Sequence, residues 1–296
     1  MLFKDWFAAF FDTYCANAVT YGCQIEYKAI YKYHYQLLYD MELSDIKPLH
    51  VQQCLNTAKD YSRSRQRKVY YLLHRVFEQA IINDYAEVNP VKKIRPPKKI
   101  KKNPAIFDPD QIEQFFDADN AISRMLQLEM WTGLRRGELL ALEWKNIHID
   151  KGYIVVCQTL VIGENGQYIR YSTKSDKDRI VPLCERSINI LNDIHDKDSS
   201  SGFLFKRNGC NKPMSLRKYH DYYNQYFAEQ QKKHPDLSYL TPHKLRHTYA
   251  SYMLENGASI ETVRMLLGHS NIATTSIYVH SSFSQMKTAA ENLKFK

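Results

Sequence analysis

No stretch of this 296-residue chain holds 18 consecutive apolar residues, so none reads as a membrane-spanning helix. The opening MLFKDWFAAFFDTYC is interrupted by Lys4, Asp5 and Asp12 and lacks a small-residue cleavage site. It therefore does not read as a signal peptide. The six cysteines, Cys15, Cys23, Cys54, Cys157, Cys184 and Cys210, include no CxxC pair. In a chain without an export signal they read as reduced thiols, and the expected compartment is the cytoplasm. There is no G-x-x-x-x-G-K-[S/T] loop, no G-x-G-x-x-G, no internal repeat and no cluster of acidic residues. These absences remove the usual nucleotide cradles and a carboxylate-held metal.

What the chain does have is positive charge, unevenly spread. The formal net charge is +9. Residues 1–104 hold 17 Lys+Arg against 10 Asp+Glu, a net of +7; the remaining 24 and 22 leave +2 for residues 105–296. A local excess of cations suits a polyanion, nucleic acid above all. A hydrophobic share of 44% is ordinary for a globular protein, and the length suits one or two domains.

Residues 1–88 read as wholly helical. Leu2 to Cys15 is rich in Phe and Trp, and Gln24 to Met41 carries a stripe of Tyr27, Ile30, Tyr31, Leu37 and Leu38. Pro48 opens a short helix running to about Lys59. Ser62 caps a long one over Arg63 to Asn83, with Val69, Leu72, Leu73, Val76, Phe77, Ala80 and Ile81 as its core face. Its first turn holds Arg63, Arg65, Arg67 and Lys68, an arrangement the helix dipole disfavours and phosphate contact would explain. Residues 89–104 read NPVKKIRPPKKIKKNP. Four prolines oppose helix and sheet there, so the segment reads as an extended basic linker. Lys92, Lys93, Arg95, Lys98 and Lys99 are its candidate DNA contacts.

A second domain is expected over residues 105–296. Asp108, Pro109 and Gln111 form a capping box, and Ile122 to Trp131 is a second helix. In TGLRRGELLAL, Gly133 permits a sharp turn and Arg135 starts the next helix, with Glu138 three residues on to hold its guanidinium. Strands are expected at Ile147 to Asp150, Tyr153 to Leu160, Gln167 to Tyr171 and Ile180 to Leu183, with Lys151-Gly152 and Glu164-Asn165-Gly166 as turns. Residues 172–179 form a hairpin bearing Lys174 and Lys177. Ser187 to Ile194 and Ser215 to Gln230 are helical. The fold class is thus mainly α with a small antiparallel β-sheet: a helical domain at 1–88, a linker at 89–104, and a mixed α+β domain at 105–296 with a tail helix.

The stretch from Thr241 to His280 carries the chemistry. Thr241 can cap a helix and Pro242 suits its first turn. His243 and Arg246 share a face three residues apart, while Leu245, Tyr249, Met253 and Leu254 form the expected buried stripe. Gly257 ends that helix, Ser259 starts another with Val263, Leu266 and Leu267 facing a core, and Gly268 stops it just before His269. Tyr278 follows nine residues later, with Thr274 and Thr275 available to cap its short helix. His243 and His247 have the spacing of two zinc ligands on a metalloprotease helix, but Lys244 stands where that motif needs a glutamate, and no third ligand is obvious.

H-x-x-R at His243 and Arg246, L-G-H at His269, Tyr278 nine residues on, and T-G-x-R-x-x-E-L around Arg135 together resemble the tyrosine recombinase (phage integrase) family, of the prophage or conjugative-element type. The resemblance implies a helical core-binding domain and a catalytic domain that clamp a duplex. It implies site-specific recombination through a 3′-phosphotyrosyl intermediate, integrating or excising a mobile element, with no cofactor and no metal. Tyr278 would be the nucleophile, Arg135 and Arg246 the phosphate grips, His243 the base and His269 an orienting group. By its offset from Arg179 and the V-P-L that follows, Lys174 matches the family's general acid, with Lys177 the alternative. Implied partners are double-stranded DNA with paired sites, other copies of the chain in a tetramer, and accessory DNA-bending or excision factors. Ser282 and Gln285 form a capping box ahead of Phe283, Met286, Ala290 and Leu293; the resemblance places that tail helix on a neighbouring protomer. The sequence opens on the expected core-binding domain, which leaves either a simple recombinase or a longer chain with an arm-binding domain ahead of it. Xer-like dimer resolution, a catalytically silent DNA-binding protein and a type IB relaxing enzyme are the alternatives.

Overall fold

A computed structural model describes residues 1–100, 105–171, 178–197, 201–207 and 210–276. The chain divides into two compact units, one formed mainly by residues 1–102 and one mainly by the residues from Asn103 onward.

The first unit is built from α1 (Phe3–Tyr14), α2 (Tyr21–His34), α3 (Pro48–Asn56) and α4 (Arg63–Ile82). Phe3, Trp6, Phe7 and Phe10 of α1 pack with Leu72, Leu73, Val76 and Phe77 of α4 in one buried core. Ser62 caps α4 as expected, its hydroxyl accepting the Arg65 N–H at 3.3 Å. The second helix departs from expectation. It stops at His34 rather than running to Met41, because Tyr35 turns inward, fully buried, and donates its hydroxyl to the Val69 carbonyl at 2.6 Å. Leu37 is consequently exposed rather than part of a core stripe. The basic segment also differs from an extended linker: Pro90–Lys93 forms a 3-10 turn, with Asn89 capping the Val91 N–H at 3.0 Å and Val91 buried. A proline in a first turn lacks only an N–H that would have had no partner.

The second unit contains α5 (Pro109–Phe115), α6 (Ala121–Thr132), α7 (Arg136–Leu140), β1 (Ile147–His148), β2 (Tyr153–Val156), β3 (Thr159–Gly163), β4 (Gly166–Arg170), β5 (Arg179–Pro182), α8 (Glu185–Lys197), α9 (Leu216–Lys233), α10 (His243–Glu255), α11 (Ile260–Leu267) and α12 (Ile272–Thr275). Strands β1, β2 and β5 make an antiparallel sheet in that order, with Ile154 opposite Ile147 on one side and Val181 on the other; β3 and β4 form a separate pair. The single strand expected from Tyr153 to Leu160 is broken at Cys157 and Gln158. The buried Gln158 amide donates to the Ala141 carbonyl and to Glu143 instead of continuing a ladder. Helix α6 is central, with α8, α9 and α10 packed on it. The capping box of α5 forms as expected.

Helix α10 corrects the sequence reading most. Its expected apolar stripe is only partly realised: Leu245 is buried, but Tyr249, Met253 and Leu254 are half-buried against a small cluster of Ala250, Val263 and Leu267. The face turned inward also carries Arg246, His247, Thr248 and Ser251. Thr248 anchors it, accepting the Phe107 N–H at 3.1 Å. No side chain caps the helix; Pro242 holds the cap position, and Thr241 contributes only its backbone carbonyl to the Lys244 N–H.

Candidate active site

The C-terminal end of α11 gathers the site. A helix leaves its last carbonyls without intrahelical donors, at the negative end of its dipole. Here three successive carbonyls each take a different guanidinium. Leu266 accepts from Arg179 Nε at 2.8 Å, Leu267 from Arg246 Nη2 at 2.6 Å, and Gly268 from Arg135 Nη2 at 2.8 Å. The turn itself requires glycine: Gly268 has φ of 63°, and the Arg179 side chain lies 3.1 Å from where a Cβ would stand. A second glycine turn completes the frame. Gly133, at φ of 62°, gives its carbonyl to Arg246 Nη1 at 2.6 Å, and a Cβ there would collide with the Tyr249 ring.

Glu138, buried like Arg246, is the counter-charge. Arg135 reaches it through its own N–H (2.8 Å) and through Nη1 (2.7 Å). Arg179 grips both oxygens, at 2.9 and 2.6 Å, and Arg246 Nη1 stands 3.9 Å away. Burial alone would raise the Glu138 pKa. The Arg179 hydrogen bonds and charge, then Arg135 and Arg246, overcome that and hold it down at about 2. Three guanidiniums against one carboxylate leave 3 − 1 = +2 at the centre, which favours an anion.

The histidines sit around this charge. His269, buried, lies 3.2 Å from Arg246 Nη2 through Nε2 and 2.9 Å from the Thr275 hydroxyl through Nδ1. So Thr275 supports His269, and the short helix α12 is capped by Asn271 rather than by Thr274 or Thr275. Desolvation, then the nearby Arg246 and Arg135, pushes His269 down to about 4. His243 opens α10 and keeps part of its surface in solvent, yet crowding of its ring, followed by Arg246, Lys244 and Arg135, brings it to about 4 as well. Both imidazoles are therefore neutral at pH 7, and an arriving phosphate would raise their proton affinity. The His243 and His247 rings meet edge to face at 4.5 Å. Among the described residues no group of three or more His, Cys, Asp or Glu is placed to hold a metal ion.

A cleft of about 520 Å³ opens beside these groups, lined by Arg135, Arg136, Arg170, His220 and His243 with Glu129 at its base. Glu129 is buried and bonded to the Tyr219 hydroxyl. Desolvation raises its pKa to about 8, against the opposing pull of Tyr219 and Arg136. Sequence reasoning missed this pair, the triple engagement of Glu138, and Arg179, which it used only to place Lys174.

Of the six expected catalytic positions, Arg135, Arg246, His269 and His243 are brought together; Lys174 and Tyr278 lie outside the described residues, as do Lys177 and the tail helix. The candidate DNA contacts divide. Lys68 and Arg65 both reach Glu26, at 2.7 and 3.6 Å, Arg67 donates to the Pro97 carbonyl at 2.7 Å, and Lys92 pairs with Glu78 at 3.0 Å. Arg63, Lys93, Arg95, Lys98 and Lys99 are exposed. No helix among the described residues is long and apolar enough to cross a membrane.

The profile of the phage integrase family matches residues 105–285. Tyrosine recombinase XerD of Staphylococcus aureus is 31% identical over 253 residues, covering 80% of this chain and 79% of its own. Among solved structures, the integrase of the Tn1549 transposon in complex with a circular intermediate DNA superposes with a TM-score of 0.84 at 20% identity, over 99% of this chain and 100% of that one. A lambda integrase dimer bound to a COC′ core site gives 0.75 at 19% identity, over 100% and 99%.

Proposed function

The chain belongs to the phage integrase family of tyrosine recombinases, and from that premise we propose how its own residues cleave and rejoin DNA. The phenol of Tyr278 attacks a scissile phosphodiester. The bond from phosphorus to the 5′ oxygen breaks as the bond to the phenolic oxygen forms, leaving a 3′-phosphotyrosyl link and a free 5′ hydroxyl. The phenol's proton passes to His243, and Lys174 supplies one to the departing oxygen. A 5′ hydroxyl of a second strand then reverses the step, so bond energy is conserved and no nucleotide is consumed. Arg135 and Arg246 meet the charge that builds on the non-bridging oxygens, and His269 orients the phosphate.

The observation that carries this reading is the convergence of Arg135, Arg246 and His269 on the α11 turn with a charge of +2 and a cleft beside it. The exposed cations Arg63, Lys93, Arg95, Lys98 and Lys99 supply backbone attraction to duplex DNA. Exchange between two duplexes breaks four strands, and each chain contributes one Tyr278, so we infer a tetramer on paired sites, acting in the cytoplasm with DNA-bending or excision factors as accessories. The H-K-L-R-H-T segment favours integration and excision of a mobile element. The similarity to XerD makes replicon dimer resolution the second reading. A plasmid carrying two copies of the repeats that flank the coding sequence tests both: recombinant circles are expected, relaxation without exchange would indicate a topoisomerase, and binding without either would overturn the proposal.

A further inference from the structure

Arg179, on β5, has no role in the scheme above, yet every nitrogen group of its side chain is engaged. Nε donates to the Leu266 carbonyl at 2.8 Å, and the two Nη groups take the two oxygens of Glu138 at 2.9 and 2.6 Å. Its side chain is 9% exposed, too enclosed to meet DNA itself. We propose that Arg179 is a positioning residue for strand cleavage: by saturating Glu138 from the β5 side, it keeps that carboxylate from capturing Arg246 and so preserves Arg246 for the scissile phosphate. The inference rests on the recombinase reading.

A carboxylate offers about four lone-pair positions. The Arg135 N–H and Nη1 fill two, and Arg179 fills the other two. Arg246 Nη1 is left at 3.9 Å from Oε2, beyond hydrogen-bonding range. Arg135 and Arg246 remain beside Glu138 and still favour its ionised form once Arg179 is gone, so two vacated positions in this buried spot would draw in the nearest guanidinium. Arg246 would then leave the Gly133 and Leu267 carbonyls and His269 Nε2. The centre would fall from +2 to +1 just where the pentacoordinate transition state gathers charge. Arg179 also braces the Gly268 turn that precedes His269.

The test uses the full chain on a nicked duplex cut from the flanking repeats, comparing wild type, Arg179→Met, Arg179→Lys and the double variant Arg179→Met/Glu138→Gln. Gel-shift affinity for a single site should stay within about threefold of wild type for all four, since the phosphate contacts of the first unit are intact. Single-turnover adduct formation by Arg179→Met should fall on the order of 100-fold, the scale for losing one preorganised donor at a developing oxyanion. Arg179→Lys should recover little, because a compact ammonium lacks the planar fork that spans both Glu138 oxygens while Nε meets the Leu266 carbonyl. The double variant should regain about tenfold or more over Arg179→Met, the neutral amide having no charge with which to capture Arg246. It also leaves no carboxylate short of a partner, so it reports even if Arg179→Met folds poorly. On a scissile methylphosphonate, with one charged oxygen removed, the Arg179→Met penalty should shrink, whereas a merely structural lesion slows both linkages alike. Wild-type rates for Arg179→Met, a double variant no faster than Arg179→Met, or equal penalties on both linkages would each overturn the proposal. A wild-type chain that forms no adduct would overturn the recombinase reading instead.

Discussion

Glu129→Gln should flatten the alkaline limb of this protein's stability. Glu129 lies under the cleft with Tyr219 on one oxygen, and burial moves its carboxyl from 4.5 to about 8. A folded pKa raised above the unfolded one means that the native state holds its proton longer. The stability this contributes is present below pH 4.5 and is lost as pH rises through 8. The interval is 8 − 4.5 = 3.5, which at 1.36 kcal/mol for each tenfold step comes to roughly 5 kcal/mol at full ionisation. At about 2–4 °C per kcal/mol for a domain of this size, the melting temperature moves on the order of 10 °C. Glutamine keeps an acceptor for Tyr219 and cannot ionise. His243, His247 and His269, pushed down to about 4, 3 and 4 chiefly by burial, act in the opposite sense: they remove stability as pH falls below 6.5, and do so in both proteins, so they cancel in the difference. Calorimetric melts at pH 5, 7 and 8.5 should show Glu129→Gln close to wild type at pH 5 and progressively above it toward pH 8.5. A difference that stays constant across this range, or a variant less stable than wild type at pH 8.5, would refute the buried neutral acid.

Arg246→Lys keeps the charge but cannot hold the Gly133 and Leu267 carbonyls together with His269; cleavage should fall about 100- to 1000-fold with single-site binding preserved, and a loss of binding instead would move Arg246 out of the chemistry. Replacing Lys93, Arg95, Lys98 and Lys99 together by Ala should weaken binding uniformly across sequences and reduce the salt slope by about one for each phosphate no longer neutralised; an unchanged slope would show that this segment does not track the backbone. Because arginine and lysine side chains supply the positive charge of the scheme, adduct formation should persist in excess EDTA, and rescue by added Mg²⁺ or Zn²⁺ would reopen the His243/His247 pair.

What the sequence made legible was local. Ser62, Asp108 and Ser259 cap the helices that follow them, and a cap depends only on its own next three residues. Gly133 and Gly268 were legible as turns for the same reason. Tertiary events were not. Periodicity predicts an apolar stripe on α10, but that helix meets α6 and the end of α11 at once, so its inward face must also deliver Arg246. Glu138 was visible as a partner of Arg135, three residues away, but not of Arg179, forty-one residues on, whose long side chain reaches it only in the folded chain. The α2 stop at His34 is of the same kind: Tyr35 leaves the helix to bond a carbonyl on α4.

The central claim is that Tyr278 is the nucleophile which the arginine cluster serves. The most direct measurement is peptide mapping of the covalent adduct trapped on a nicked suicide duplex, for wild type and Tyr278→Phe. The account predicts a 3′-phosphotyrosyl linkage at Tyr278 and, in the variant, intact DNA binding with no adduct. An adduct mapped to Tyr249 or Tyr252, or one that survives in Tyr278→Phe, would contradict it.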